Sequence, residues 1–357
     1  MKNLKGVILH GGQGTRLRPL TFSGPKQLIP VANKPVSQHV LEDLVSSGIN
    51  EIAIILGNTF PNLVTEHYGD GTGFNAKITY IYQGEALGIA HAVNLVQDFV
   101  KDEKFVVYLG DNLLQGGISK YVKKFVSSDL DAMILLKKVD DARSFGVAEV
   151  SEGKITRLVE KPKEPKSNLA LIGVYFLNNK VFDIINKLKP SARGELEITD
   201  ALQQMVEKGY NVGYAVHEGW WLDTGKKDDI ILANQLVLDE KSVRMVSEKA
   251  FIENSTIEGR VMISENATIK NSLIRGPAVI GDSYIEDSSV GPFTSIGNKA
   301  YIAESKVENS IIMEGSKIEK VELESCLVGK SVVIKGKSLI KNRLKVSLGD
   351  YSLLEVE

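Results

Sequence analysis

The chain shows two patterns of apolar and polar positions. Up to about residue 240, short apolar runs alternate with amphipathic stretches: "GVIL" at 6–9, "VSQHVLEDLVSSG" at 36–48, "EIAIIL" at 51–56, "KITYIY" at 77–82, "GIAHAVNLVQDFV" at 88–100 and "KFVVYLGDN" at 104–112. This rhythm predicts βαβ units, hence a mainly parallel sheet with helices on both faces. Ligands on such sheets lie at the carboxyl ends of the strands. The middle section, "DAMILLKKV", "FGVAEV", "KITRLVEKP" and "LALIGVYFL", is richer in strands and predicts an antiparallel or mixed part of the sheet. The stretch "KKDDIILANQLVLDE" closes this half as a helix.

From about residue 250 helical periodicity disappears and aliphatic residues fall into three columns with a spacing of 16 or 17 residues. The columns are Ile257, Ile274, Val290, Val307 and Leu323; Ile263, Ile280, Ile296, Ile312 and Val328; and Ile269, Ile285, Ile302, Ile318 and Ile334. Three phased columns describe a three-sided coil in which each turn buries one aliphatic side chain per face and stacks on the turn before it. The pattern resembles the left-handed parallel β-helix of hexapeptide-repeat proteins, here with about five coils. The expected division is therefore 1–240 for the sheet domain, 250–340 for the β-helix and 341–357 for a C-terminal tail.

Composition narrows the picture. At 357 residues the chain exceeds a usual single core. A formal net charge of −2 supplies no global field toward nucleic acid or anionic lipid, so neither is an expected partner. Cys326 is the only cysteine, which excludes an intrachain disulfide. The start, "MKNLKGVILHGG", has glycines too early for a signal peptide or a membrane span, and a cytoplasmic location is expected.

The stretch "HGGQGTRLRP" at 10–19, followed by Lys26, brings glycines and basic residues together after the first apolar run. A Walker loop would place a lysine directly after a glycine, and none is there. A dinucleotide fingerprint would have a third glycine at position 17, which is Leu17. What remains is a glycine turn whose backbone N–H groups approach a triphosphate, with Arg16 and Lys26 adding positive charge.

Taken with "PKQLIPVANKP", "LGDN", "VEKPKEPKSNLALIGVYF", "GELEITD" and "WWLDTG", this stretch resembles the signature of sugar-nucleotide pyrophosphorylases, specifically the glucose-1-phosphate thymidylyltransferases. The resemblance implies a Rossmann-like nucleotidyltransferase domain. It also implies a reaction in which glucose 1-phosphate attacks the α-phosphorus of dTTP, giving dTDP-glucose and pyrophosphate. Two anions must meet, so neutralising and aligning charge is the main task.

Further roles follow from the resemblance. Gly11, Gly12, Gly14, Thr15, Arg16, Gln27, Gln83, Gly88 and Asp111 would serve the nucleotide, with Gln83 and Gly88 at the edge of the base. Gly146, Glu160, Lys161 and Gly173 would serve the sugar phosphate. Arg16, Lys26, Asp111 and Asp223 would carry the catalysis, with Asp111 and Asp223 holding Mg2+. His10 departs from the alanine that the family often has there.

The alternatives are a uridylyltransferase, since thymine and uracil offer the same hydrogen-bonding edge, and a bifunctional acetyltransferase. The second usually needs a histidine base, and all five histidines precede residue 218. A non-catalytic paralogue predicts loss of Arg16, Lys26, Asp111 or Asp223, and all four are present. The β-helix is expected to serve assembly of a homo-oligomer, or stability.

Overall fold

Every residue of the strand Lys5–His10 is buried, because it lies inside a sheet. The computed structural model describes residues 4–337 and 343–357 and pairs this strand in parallel with Glu51–Gly57 on one side and Phe105–Leu109 on the other. Lys77–Gly84 adds a further parallel strand beside Glu51–Gly57. Strands covered on both faces read as continuous apolar runs, as "GVIL" and "EIAIIL" do.

Beyond Phe105–Leu109 the sheet becomes antiparallel. Leu169–Leu177 runs against that strand, against Ala132–Lys138 and, at its start, against Gly146–Ser151, which forms a hairpin with Lys154–Glu160. Val212–Val216 completes a mixed sheet of nine strands. Helix Ile198–Glu207 buries Ile198, Ala201, Leu202 and Met205 in the same apolar core as Val7, Ile55 and Val107.

After Lys241 the chain forms short strands in three parallel stacks. The stacking follows the three expected columns: Ile263 on Ile280 on Ile296, Ile269 on Ile285 on Ile302, and Ile274 on Val290 on Val307. These side chains form one continuous core of the left-handed β-helix. At one corner a polar ladder runs beside them. The Ser255 hydroxyl accepts the N–H of Ser272 at 3.0 Å, Ser272 that of Ser288 at 3.0 Å, and Ser288 that of Ser305 at 3.1 Å. Buried backbone donors are thus satisfied where the chain turns.

Two features differ from the expected division. Among the described residues two of the stacks hold seven strands, so the coils exceed the expected five or so. The expected tail contributes to them: Ser347–Leu348 and Leu353–Val356 each extend a stack, and Leu344 bridges Leu323. Packing also groups residues 1–12 with 37–222 and residues 13–36 with 223–357, not on either side of residue 240. The reason is visible in the second unit. Ser295, Ile311 and Leu327, on the outer face of one stack, are buried, and helix Lys227–Lys241 packs on the strand Thr294–Ile296.

Among the described residues no helix is long and apolar enough to cross a membrane. If the columns form a stacked core, Ile302→Ala should lower stability by about 2–5 kcal/mol. Lys299→Ala, which removes an exposed ion pair with Glu314, should cost about 1 kcal/mol or less. Urea unfolding of the two variants checks this, and equal losses would count against the stacked core.

Candidate functional site

In the first unit, the expected residues gather where the parallel strands end. Gly11 directly follows the first strand, and Gln83 lies near the end of Lys77–Gly84. The Gln83 amide donates to the Gly88 carbonyl at 3.2 Å, and a Cβ on Gly11 would stand 3.5 Å from Gln83 Oε1. Gly11, Gln83 and Gly88 therefore form one cluster. Gly88 in turn presses on the backbone of Leu196, within "GELEITD".

Asp111 follows the strand Phe105–Leu109, and its Oδ1 accepts a bond of 2.9 Å from the Asn112 amide. Asn112 is 3% exposed, and its Oδ1 accepts the Trp221 indole N–H at 2.7 Å. Gly173 lies against the same amide, its would-be Cβ 3.2 Å from Asn112 Cγ. Asn112 thus joins three motifs that are far apart in sequence.

Gly146 pairs with Glu160 across the hairpin. The hairpin lies beside the start of Leu169–Leu177, whose Val174 pairs with Tyr108. That register sets Gly146 and Glu160 near the level where the parallel strands finish. Glu160 Oε2 accepts the Thr199 hydroxyl at 2.6 Å, and its Oε1 lies 3.5 Å from Lys161 Nζ and 3.6 Å from Arg193. A Cβ on Gly146 would stand 2.8 Å from Thr199 Oγ1, so glycine is what the packing admits there.

Sequence reasoning singled out neither Arg193 nor Thr199. Arg193 also pairs with Glu197 at 2.8 Å and with Glu195 at 3.0 Å. Burial pulls its pKa down, but Glu197, Glu195 and Glu160 outweigh that and raise it, so the guanidinium stays charged. The Asp200 carboxyl is pushed up, first by burial and then by Glu197 and Glu160. Thr199 lies within "GELEITD" and Arg193 directly precedes it, so that motif carried the signal.

The second unit holds Gly14, Thr15, Arg16, Lys26, Gln27 and Asp223. Gly14 has φ 62° and sits so close to Thr21 and Lys26 that a Cβ would come within 2.8 Å of Thr21 Cγ2. Its carbonyl accepts the Thr21 hydroxyl at 2.8 Å and the Leu17 N–H at 2.9 Å. Thr15–Leu17 is a single 3-10 turn and Lys26–Leu28 another, so no dinucleotide-type helix follows the glycines. Gly225 lies between Arg16 and Asp223: its would-be Cβ is 3.0 Å from Arg16 Nη2 and 3.3 Å from Asp223 Oδ1. Gln27 is 1% exposed.

Gly12 continues the turn of Gly11 with φ 95°. His10 is 5% exposed and meets Tyr68 edge-on at 6.1 Å between ring centres. Among the described residues no group of three or more His, Cys, Asp or Glu side chains is placed to hold a metal. Asp111 and Asp223 are nonetheless hard oxygen donors of the type that holds Mg2+ together with substrate phosphates.

A mixed sheet with glycine turns at the ends of its parallel strands is the frame of an enzyme of nucleotidyl transfer. Residues 5–240 match the nucleotidyl transferase family model, and the chain belongs to that family. It is 49% identical over 319 residues to the low-salt glycan biosynthesis nucleotidyltransferase Agl11 of Haloferax volcanii, covering 88% of this chain and 89% of that protein. It is 41% identical over 358 residues to a glucose-1-phosphate thymidylyltransferase of Streptomyces antibioticus, covering 99% and 100% of the two chains. Among solved structures, one described as a Bacillus anthracis glucose-1-phosphate thymidylyltransferase in complex with sucrose aligns with a TM-score of 0.62 at 42% identity. That alignment covers 65% of this chain and 94% of the other.

The Glu160 cluster gives a direct test. Gly146→Ala should displace Thr199 from Glu160 and raise KM for the sugar phosphate about tenfold or more, with KM for the nucleotide little changed. Steady-state kinetics with each substrate varied in turn would check it, and an equal effect on both constants would refute the assignment.

Proposed function

We propose that this chain joins dTTP and glucose 1-phosphate to give dTDP-glucose and pyrophosphate. The observation that carries the reading is the arrangement within the first unit. Gln83, Gly88 and Gly11 offer a polar, glycine-lined cluster suited to a base edge, while Glu160, Gly146, Lys161 and Arg193 offer one suited to a sugar phosphate. In the reaction a phosphate oxygen of the sugar forms a bond to the α-phosphorus as the bond to pyrophosphate breaks. No side-chain nucleophile is needed.

Lys161 and Arg193 would offset the charge of the attacking phosphate, and Glu160 would accept hydrogen bonds from sugar hydroxyls. Arg16 and Lys26 would meet the triphosphate, the arginine through its planar fork and the lysine as a point charge. Enzymes of this family generally use a divalent metal, and Asp111 and Asp223 would hold Mg2+, which supplies charge neutralisation along the phosphates. The bond between Asn112 and Asp111 would orient that carboxylate.

A homo-oligomer built on the coils belongs to the same proposal. One stack meets the chain's own helix at the strand Thr294–Ile296, whereas Phe251 and Leu353, on the outside of another stack, are 53% and 66% exposed.

Pyrophosphate release with dTTP and UTP side by side, each with glucose 1-phosphate and Mg2+, tests the reading. Turnover with dTTP should be the greater, and equal or greater turnover with UTP would replace it with a uridylyltransferase. Asp223→Ala should lower kcat by about a hundredfold or more while unfolding remains cooperative; near wild-type turnover would remove Asp223 from the metal site. Chelation with EDTA should abolish activity, and added Mg2+ should restore it.

A further inference from the structure

Residues 13–36 carry Arg16 and Lys26, yet they hold little regular structure of their own: three 3-10 turns and a hairpin of two-residue strands. The hairpin, Pro30–Val31 with Lys34–Pro35, turns through Ala32 and Asn33, at φ 50° and 61°. Both lie in the left-handed region, which is costly for alanine because of its Cβ. Such a conformation persists where the surroundings over-determine it, and here they do. The Ala32 N–H donates to Asn234 Oδ1 at 2.8 Å, and the Asn33 amide donates to the Ile296 carbonyl at 2.6 Å.

Asn234 lies on helix Lys227–Lys241 and is 1% exposed. Besides Ala32 it accepts the Ser295 hydroxyl at 2.6 Å and donates to the Phe293 carbonyl at 3.0 Å. One buried amide therefore ties together the hairpin, the helix and the coil at 293–296. A second attachment lies before Lys26. The Ser23 hydroxyl donates to Asp350 Oδ2 at 2.7 Å, and Asp350 Oδ1 accepts the Lys330 N–H at 2.7 Å. Lys26 stands between the two attachments, and both end on the β-helix.

We propose that Asn234 and Asp350 are positioning residues for the nucleotide half of the reaction. The β-helix fixes the loop at two points, so that Arg16 and Lys26 meet the triphosphate in a set geometry. Neither residue touches substrate; each acts through the loop, and the proposal rests on the triphosphate role given to that loop above. It assigns the β-helix a part in catalysis that neither assembly nor an acyl-transfer site would give it.

The test uses the full chain and the variants Asn234→Ala, Asp350→Ala and the double variant, with kcat and both KM values measured beside the thermal midpoint. The double variant should lose about tenfold to a hundredfold in kcat/KM for dTTP, with KM for glucose 1-phosphate within about twofold of wild type. Adding Ala32→Gly to Asn234→Ala should recover part of that loss, because glycine adopts the left-handed turn unaided. Equal losses for both substrates, or wild-type kinetics with only a lowered thermal midpoint, would overturn the proposal. If Asn234→Ala fails to fold, Ser23→Ala and Asp350→Ala carry the same test at the other attachment.

Limited proteolysis within 13–36 needs no turnover and separates the two readings. Faster cleavage in the double variant supports the attachments even where wild-type turnover fails and the functional reading falls with it. Unchanged cleavage would overturn the positioning proposal alone.

Discussion

The buried amide of Asn112 carries much of the first unit. One end donates to Asp111 and the other accepts the indole N–H of Trp221, with Gly173 packed against it. A buried amide left unpaired costs about 1–3 kcal/mol, so these partners constrain one another. Asp111 is aimed by its neighbour in sequence, and that neighbour is aimed by a tryptophan more than a hundred residues away. Two stretches of the first unit that each carry a proposed site residue, around positions 111 and 173, come to depend on one side chain, together with Trp221. Preorganisation of this type removes the need to reorient dipoles while charge moves.

How much of this was legible in the sequence varies with the physical origin of the signal. The three aliphatic columns were readable because a stacked coil imposes its period on every turn, and Ile263, Ile280 and Ile296 stack as the spacing implied. The last coil escaped because the period lengthens there. Ile334 pairs with Leu354, 20 residues on, where earlier steps are 16 or 17. The mixed part of the sheet was legible from clustered strand-like runs. The grouping of residues 13–36 with the coils was not, because it rests on single hydrogen bonds such as Asn33 to Ile296, which leave no periodic trace.

The candidate site divides in the same way. Gly146 and Glu160 were legible from short motifs, and the structure pairs them directly across a hairpin. Arg193 and Thr199 were not, since their contacts with Glu160 join positions more than thirty residues apart. His10 was the residue that departed from pattern, and it lies buried with its ring edge-on to Tyr68.

A loop proposed to present Arg16 and Lys26 to a triphosphate faces a conflict. Its glycines allow close approach to phosphate, but glycine has the most conformational freedom to lose, and fixing a backbone residue costs about 1–2 kcal/mol. Hydrogen bonds within the loop close short turns, such as Leu17 N–H to the Gly14 carbonyl and Ile29 N–H to the Lys26 carbonyl, and the bonds to Asn234 and Ile296 add to that order. A stack of coils with a continuous aliphatic core is a rigid support for that purpose. On its outer face Ser295, Ile311 and Leu327 are buried, and Ser295 donates to Asn234 on the unit's own helix. On this argument the absence of histidine from the coils is no sign of an idle domain. Holding a charged loop still requires aliphatic stacking and a few buried amides, and the second unit has both.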